Sequence, residues 1–273
     1  MQLIRKDGIA LAYEDSNCDL PSMLLVHGWG CDHTSLAAQA MFFSKSHRVV
    51  SVDLRGHGKS DAPDQDYTMA IFADDLAWLC EKLRLIKPVV IGHSMGGSIA
   101  LELAARYPHV PASIVLLNSF VFMPPAILDT QKMVQEGIKG SDYSSVYRES
   151  SARLFIPTAE DQVKERFLAS HPKAPQHVLA STFVNHTTQY DGTSAAAGCH
   201  VPVAHIGDIT TAISHSDLAH FQNLTPQLSL ALTLGSGHFS PLTVPDQINA
   251  MLARFIALHA VKEASIGRDR VGS

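Results

Sequence analysis

Val89-Val90-Ile91-Gly92-His93-Ser94-Met95-Gly96-Gly97-Ser98-Ile99-Ala100-Leu101-Glu102-Leu103-Ala104-Ala105-Arg106-Tyr107-Pro108 decides how the rest of the chain is read. Its first three residues are apolar and β-branched, the composition of a strand buried on both faces. From Ser98 to Tyr107 stand good helix formers, closed by Pro108. Between strand and helix, Gly92-His93-Ser94-Met95-Gly96 fits G-x-S-x-G. In that setting the chain must turn sharply, and the turn lifts the Ser94 hydroxyl above the sheet. Gly92 and Gly96, with Gly97 beside it, remove side chains where strand and helix approach closely. Met95 offers its backbone N–H at a helix N-terminus, where negative charge is favoured.

The same alternation extends outward. Met23–Val26, Val49–Val52 and Ile114–Leu117 are short apolar runs of the same kind, and Tyr67–Leu85 places Ile71, Leu76, Leu79 and Leu83 near helical spacing. Strands alternating with helices imply an α/β fold with a mostly parallel, doubly wound sheet and right-handed crossovers. The rhythm breaks after Phe120. Helical stretches follow around Ile127–Ile138, Ser144–Phe155, Ala159–Ala169 and Gln176–His186, with no buried strand pattern. Strand patterns return at Val201–Ile206 and Leu228–Leu234, and an amphipathic helix closes the pattern at Val244–Leu258. The expected layout is an α/β core of residues 1–120 and 199–262, a helical cap of 121–198 inserted before the last strands, and a polar, frayed tail of 263–273.

Composition narrows the function. The 273 residues carry 21 Lys+Arg against 26 Asp+Glu, a formal charge of −5, so no basic excess is available for nucleic acid. With 46% apolar and 17% charged residues the chain can build a sizeable core. Apolar runs are strand-length, far short of the ~20 residues of a membrane helix. The first residues mix Arg5, Lys6 and Asp7 with isolated apolar positions, unlike a signal peptide. Cys18, Cys31, Cys80 and Cys199 are scattered without a C-x-x-C pair, which argues against a zinc site or disulfide framework and fits a cytoplasmic location. His215 and His220 stand at i,i+5, a spacing that spreads the rings around a helix instead of presenting a metal pair. No metal, cofactor, nucleic acid or membrane partner is expected.

His27-Gly28-Trp29-Gly30 directly follows the Met23–Val26 strand. There the Trp29 N–H can form the second half of an oxyanion hole, with Met95 supplying the first. His27 is expected to brace the loop, and the Trp29 ring to line a pocket suited to an apolar ligand. A serine hydroxyl needs a base to take its proton. His238, in Gly235-Ser236-Gly237-His238 after the last strand pattern, follows Ser94 in the order the nucleophile turn requires.

Together with Asp53-Leu54-Arg55-Gly56-His57-Gly58-Lys59-Ser60, these motifs occur in an order by which the chain resembles the α/β-hydrolase fold superfamily over about its whole length. The resemblance implies the helical cap, a structural role for Arg55–Ser60, and His238 as the base. It places the triad acid past the strand before the histidine loop, where this chain has Gly207-Asp208-Ile209-Thr210. Thr210 stands at the commonest acid position, and Asp208 is the nearest carboxylate. Some members place the acid where this chain has Asn118, and Asp217 is a third candidate, although Ser214-x-x-Asp217 reads as a helix-start box. Asp208 is favoured. The resulting expectation is a serine hydrolase of a carboxylic ester or lactone, acting on a small apolar or aromatic substrate through Ser94, His238 and Asp208. Phe120, Val121, Phe122, Met123, Leu154 and Phe155 are candidates for the pocket wall or the cap's own core.

Two other readings stand beside it. Gly28-Trp29 followed by Asp32-His33 also resembles cofactor-free ring-cleaving dioxygenases of the same fold, in which the histidine deprotonates a hydroxylated N-heteroaromatic. A non-catalytic receptor using a degraded pocket would lack the serine or the histidine, and both are present.

Overall fold

Eight strands form one sheet in the order β1-β2-β4-β3-β5-β6-β7-β8. They span Gln2–Lys6 (β1), Ile9–Asp15 (β2), Ser22–Val26 (β3), Arg48–Asp53 (β4), Val89–His93 (β5), Ser113–Leu117 (β6), Val203–Asp208 (β7) and Leu228–Thr233 (β8). β3 to β8 are parallel, whereas β1 pairs β2, and β2 pairs β4, in antiparallel fashion. The computed structural model describes residues 1–122, 127–156, 161–208 and 215–268. Met123, Thr210, Ser214 and residues 269–273 of the expected tail lie outside them.

The two-sided burial foreseen for the central strands follows from side-chain alternation. On β3, Leu24 and Val26 face one core with Val50, Val52, Phe72, Leu76, Ile99 and Leu103. Met23 and Leu25 face the other, with Val49, Ile91, Val115, Leu117, Phe43, Ile248 and Leu252. The first face is covered by α2 (Met69–Leu83) and α3 (Met95–Arg106), and the second by α1 (Ala37–Phe43) and the C-terminal helix. Thr68 caps α2 by accepting the Ile71 N–H, and Arg84 ends it in a left-handed conformation. α3 is buried from Met95 through Leu101, so its glycine-rich start and its Ile-Ala-Leu run serve one purpose: close seating on the sheet.

Between β6 and β7 the described chain is helical: α4 (Leu128–Lys139), α5 (Tyr143–Ala152), α6 (Asp161–Ser170), α7 (Gln176–Phe183), a π-helical turn (Val184–Thr188) and α8 (Thr193–Gly198). α4 packs on α5 and α7, while α8 lies against α3 and so belongs to the layer on the sheet. After β7 come α9 (His215–Leu224), β8, the short α10 (Ser240–Thr243) and α11 (Pro245–Arg268). α11 runs past Leu258, where the apolar pattern suggested an end and a frayed tail from residue 263. Ala260, Lys262, Glu263 and Ala264 are helix formers with no breaker among them.

The β1–β2 hairpin was not anticipated. Its two-residue turn is Asp7-Gly8, both at positive φ (51° and 85°), the geometry that two-residue hairpins demand. The Asp-Gly pair was the available signal, masked by strands whose outer face is charged.

Candidate active site

Every expected site residue sits at the C-terminal edge of the parallel strands, the edge where α/β sheets build their sites. Gly28 and Trp29 follow β3, Ser94 follows β5, Asn118 follows β6, Asp208 ends β7, and His238 follows β8.

Ser94 occupies φ 53°, ψ −120°, a strained conformation for a residue with a side chain. The surroundings over-determine it. Its N–H donates to the Leu117 carbonyl (2.9 Å) and its own carbonyl accepts the Gly97 N–H (2.9 Å). A Cβ on Gly92 would stand 2.1 Å from the Gly96 carbonyl oxygen, and one on Gly97 would stand 1.9 Å from the Ser119 hydroxyl. The glycines therefore admit the turn, as their sequence positions suggested.

The Ser94 Oγ lies 2.9 Å from His238 Nε2. Residues 144 apart in sequence thus meet in hydrogen-bond geometry with the hydroxyl aimed at the ring nitrogen. The His238 backbone is gripped on both sides. Its N–H donates to the Leu154 carbonyl (3.1 Å), and its carbonyl accepts His93 Nε2–H (2.9 Å). Burial pushes the His238 pKa well below its usual value, the nearby His93 and His186 push the same way, and the Asp208 charge opposes them. His238 is thus a neutral imidazole at neutral pH, the form that can accept a proton.

Asp208 is buried beside this loop. One carboxylate oxygen accepts the Ser236 hydroxyl (2.9 Å), the Gly237 N–H (3.0 Å) and the Ser236 N–H (3.3 Å). The carboxylate therefore both anchors the histidine loop and biases the imidazole toward its charged form. Asn118, the alternative acid position, is at φ 47°; its amide donates to the Gly237 carbonyl (3.4 Å) and its side-chain oxygen accepts the Ser240 hydroxyl. Asp217 lies in the first turn of α9 and lines a different, small hollow with Ser119, Phe122, His205 and Phe221. The Asp208 charge acts on His238, whereas Asn118 carries no charge and Asp217 faces the other hollow.

Gly28 rests directly on the nucleophile: a Cβ there would stand 3.2 Å from Ser94 Cβ. The backbone of Trp29 is consequently held next to Ser94, and Met95 opens α3 with the N–H groups that a helix start leaves unpaired. His27 is fully buried; Nδ1 donates to the Gly28 carbonyl (2.8 Å), leaving Nε2 to accept the Leu54 N–H (3.0 Å). That bridge pins the β3 loop to the β4 loop. Asp53 does similar work below, accepting the His33 ring N–H (2.7 Å) and the Lys59 and His33 backbone N–H groups (both 2.8 Å).

A cavity of about 440 Å³ opens over Ser94 and His238. Its wall takes Trp29 and Cys31 from the β3 loop, Phe120 from the end of β6, Tyr147 and Arg153 from α5 and its end, and His186 from the π-helical turn. Trp29 is wedged between Tyr147 and Phe183 (ring centroids 4.9 and 4.8 Å) and donates its indole N–H to the Leu179 carbonyl (3.0 Å). Of the apolar candidates, Phe120, Leu154 and Phe155 line this cavity, and Val121 and Phe122 line the smaller hollow, which Phe120 also borders. His186 and His93 carry no motif that marks them as cavity residues; His186 reaches the wall because Ser98 holds its Nε2 (3.0 Å). No group of three or more His, Cys, Asp or Glu side chains among the described residues could hold a metal ion. None of the described helices is long and apolar enough to cross a membrane.

A profile of the alpha/beta hydrolase fold matches residues 21–200, and the chain belongs to that family. Over 128 residues it is 38% identical to the bifunctional esterase/perhydrolase DCH of Acinetobacter calcoaceticus, covering 46% of this chain and 46% of that protein. The chain thus spans about half the length of that curated relative. A longer match, 26% identical, covers 89% of this chain and 83% of the mouse (Mus musculus) sn-1-specific diacylglycerol lipase ABHD11. Among solved structures, a thermophilic esterase from Thermogutta terrifontis superposes with a TM-score of 0.83 at 24% identity, covering 95% of this chain and 99% of that one. The enol-lactonase of Burkholderia xenovorans LB400 gives a TM-score of 0.83 at 20% identity over 94% of this chain and 100% of its own. At these identities the structural likeness concerns the fold.

Proposed function

We propose that this protein is a serine hydrolase that cleaves a carboxylic ester or lactone. The observation that carries the reading is the 2.9 Å contact between Ser94 Oγ and a neutral, buried His238 Nε2 at the floor of a cavity. As the Ser94 oxygen attacks the substrate carbonyl carbon, its proton passes to His238 Nε2. The carbonyl oxygen becomes an oxyanion, received by the Trp29 and Met95 N–H groups. Asp208 holds the imidazole in its productive orientation and offsets the charge it gains. Collapse of the tetrahedral intermediate expels the alcohol, which takes the proton from His238. Water, deprotonated by the same imidazole, then releases the acid and restores Ser94.

The helices α4 to α7 serve as the cap, and the apolar wall of Trp29, Phe120, Tyr147 and Phe155 suits a small apolar or aromatic ester. The relatives named as esterase, lipase and enol-lactonase support the same reaction class. Four free thiols fit a reducing compartment such as the cytoplasm. The ring-cleaving alternative finds less support: Asp32 caps the 3-10 turn that follows it and His33 is committed to Asp53, so neither is available at the cavity. Turnover of short p-nitrophenyl esters tests the proposal. Replacing Ser94→Ala should abolish it with the circular dichroism spectrum unchanged, and turnover retained in that variant would refute the assignment.

A further inference from the structure

Among the described residues on the cavity wall, Arg153 is the one side chain that carries a full charge at neutral pH. The wall's histidines, His93, His186 and His238, are all pushed toward the neutral form by burial. Arg153 itself is solvent-exposed. Elsewhere Arg48 holds Asp15 (2.6 Å), Arg55 holds Asp75 (2.6 Å) and Arg106 holds Asp74 (2.9 Å). Arg153 has no such partner among the described residues, and no carboxylate stands among the described residues of the wall.

Its backbone is also tied to the segment that carries the base. Arg153 caps the C-terminus of α5, its N–H donating to the Glu149 carbonyl (3.3 Å). The next residue, Leu154, supplies the carbonyl that accepts the His238 N–H (3.1 Å), and a Cβ on Gly237 would touch that same carbonyl oxygen at 2.9 Å. The chain that carries the guanidinium is thus bonded to the chain that carries the base. An anion held by Arg153 would sit on the wall of the cavity that contains Ser94 and His238.

We infer that Arg153 is a specificity residue for substrates bearing a carboxylate remote from the carbonyl under attack, such as a half-ester of a dicarboxylic acid. This rests on the ester-hydrolase reading of the same cavity. The apolar wall takes the body of the substrate, and the guanidinium at the rim takes its anionic end through charge-assisted hydrogen bonds. A neutral or cationic end would leave the one charge among the described wall residues unmatched or repelled.

Binding can be read without turnover. In the Ser94→Ala protein, calorimetry compares monophenyl glutarate with its methyl ester, which differs by one negative charge. The acid should bind about tenfold more tightly, the contribution of one charge-assisted hydrogen bond, and the preference should shrink as salt is raised. Adding Arg153→Gln should bring the ratio close to one, and Arg153→Glu should reverse it in favour of a cationic ester, a change of sign that misfolding cannot produce. A ratio near one in Ser94→Ala itself, or a preference that survives Arg153→Gln, overturns the inference. Turnover of the neutral phenyl ester by the unmodified chain separately tests the hydrolase reading, so the two can fail independently.

Discussion

His93 Nε2 donates a hydrogen bond to the backbone carbonyl of His238 at 2.9 Å, so the residue preceding the nucleophile holds the base. The rings lie 5.1 Å apart, and His93 Nδ1 is buried without a hydrogen-bond partner among the described residues. Burial lowers the His93 pKa to about 4, so the ring stays neutral and its one proton is available for this bond. A single turn of chain therefore fixes both partners of the proton transfer: Ser94 by backbone strain and His238 through its neighbour's side chain.

His93 is accordingly a positioning residue. His93→Leu keeps the volume but leaves the His238 carbonyl without its donor, and should lower kcat by about tenfold, the worth of one hydrogen bond, with a smaller change in KM. His93→Gln, which restores an N–H donor, should recover part of the loss. Equal falls in kcat for both variants, or a change confined to KM, would contradict the role.

Asp208 and Asp217 make opposite predictions. Asp208→Asn removes the charge that opposes the depression of the His238 pKa and should lower kcat by roughly 10⁴, the loss seen when a triad acid becomes an amide. Asp217→Asn alters a residue on the other hollow and should change kcat by less than about twofold, as expected for a substitution away from the reacting groups. Ester hydrolysis by the two purified variants decides between them, and a large loss in Asp217→Asn alone would move the acid.

Ser94 was legible in the sequence because strand–turn–helix is a local property, written in glycines and β-branched runs; His238 was reached through its place after the last strand pattern and the family resemblance. His93 gives no local sign of its role, since neighbours in a tight turn point apart; its contact depends on where a loop 145 residues away returns. His186 has no pattern at all, because a π-helical turn and Ser98 set its direction. The β1–β2 hairpin was missed for the opposite reason: its Asp-Gly turn is a clear signal, but strand residues such as Gln2, Arg5 and Glu14 are charged or polar and interrupt the apolar run that marks a core strand.

The acid limb of the pH profile should lie unusually low. Proton transfer requires neutral His238, and burial with two neighbouring imidazoles holds its pKa well below the ordinary 6.5. Activity should be flat through neutrality and decline only well under pH 6.5. A kcat/KM profile with a half-maximum at or above pH 6.5 would contradict that environment.

Stability has its own acid limit. His27, His57, His93, His186, His205 and His238 are all buried with lowered pKa values, His57 to about 3 and His93 and His186 to about 4. Below pH 6.5 the unfolded chain binds protons that these folded histidines refuse, so their contribution is present above that pH and lost as pH falls. His33, raised by Asp53, works the other way. At about pH 5 the three with stated values together remove roughly 6 kcal/mol, comparable with the whole stability of a typical domain. Thermal melts should show Tm falling steeply below pH 6.5; a Tm unchanged down to about pH 4.5 would mean these rings are hydrated or paired.

Two glycines separate folding from catalysis. A Cβ on Gly96 would stand 2.3 Å from the Val26 carbonyl oxygen and 2.6 Å from that of His27, both backbone atoms that cannot swing aside. Gly96→Ala must push α3 off the sheet, and should cost about 1–3 kcal/mol or prevent folding, the usual penalty of overpacking. A Cβ on Gly28 meets Ser94 Cβ at 3.2 Å and His93 Nδ1 at 3.3 Å, a clash relieved by a shift of a few tenths of an ångström. That shift moves the Trp29 N–H relative to Ser94. Gly28→Ala should therefore melt within a few degrees of the parent protein while its kcat falls about 10²-fold, the penalty of a misplaced oxyanion donor. Should Gly28→Ala lose stability and activity in proportion, the β3 loop would be a packing element and the Trp29 N–H would have no special part in the chemistry.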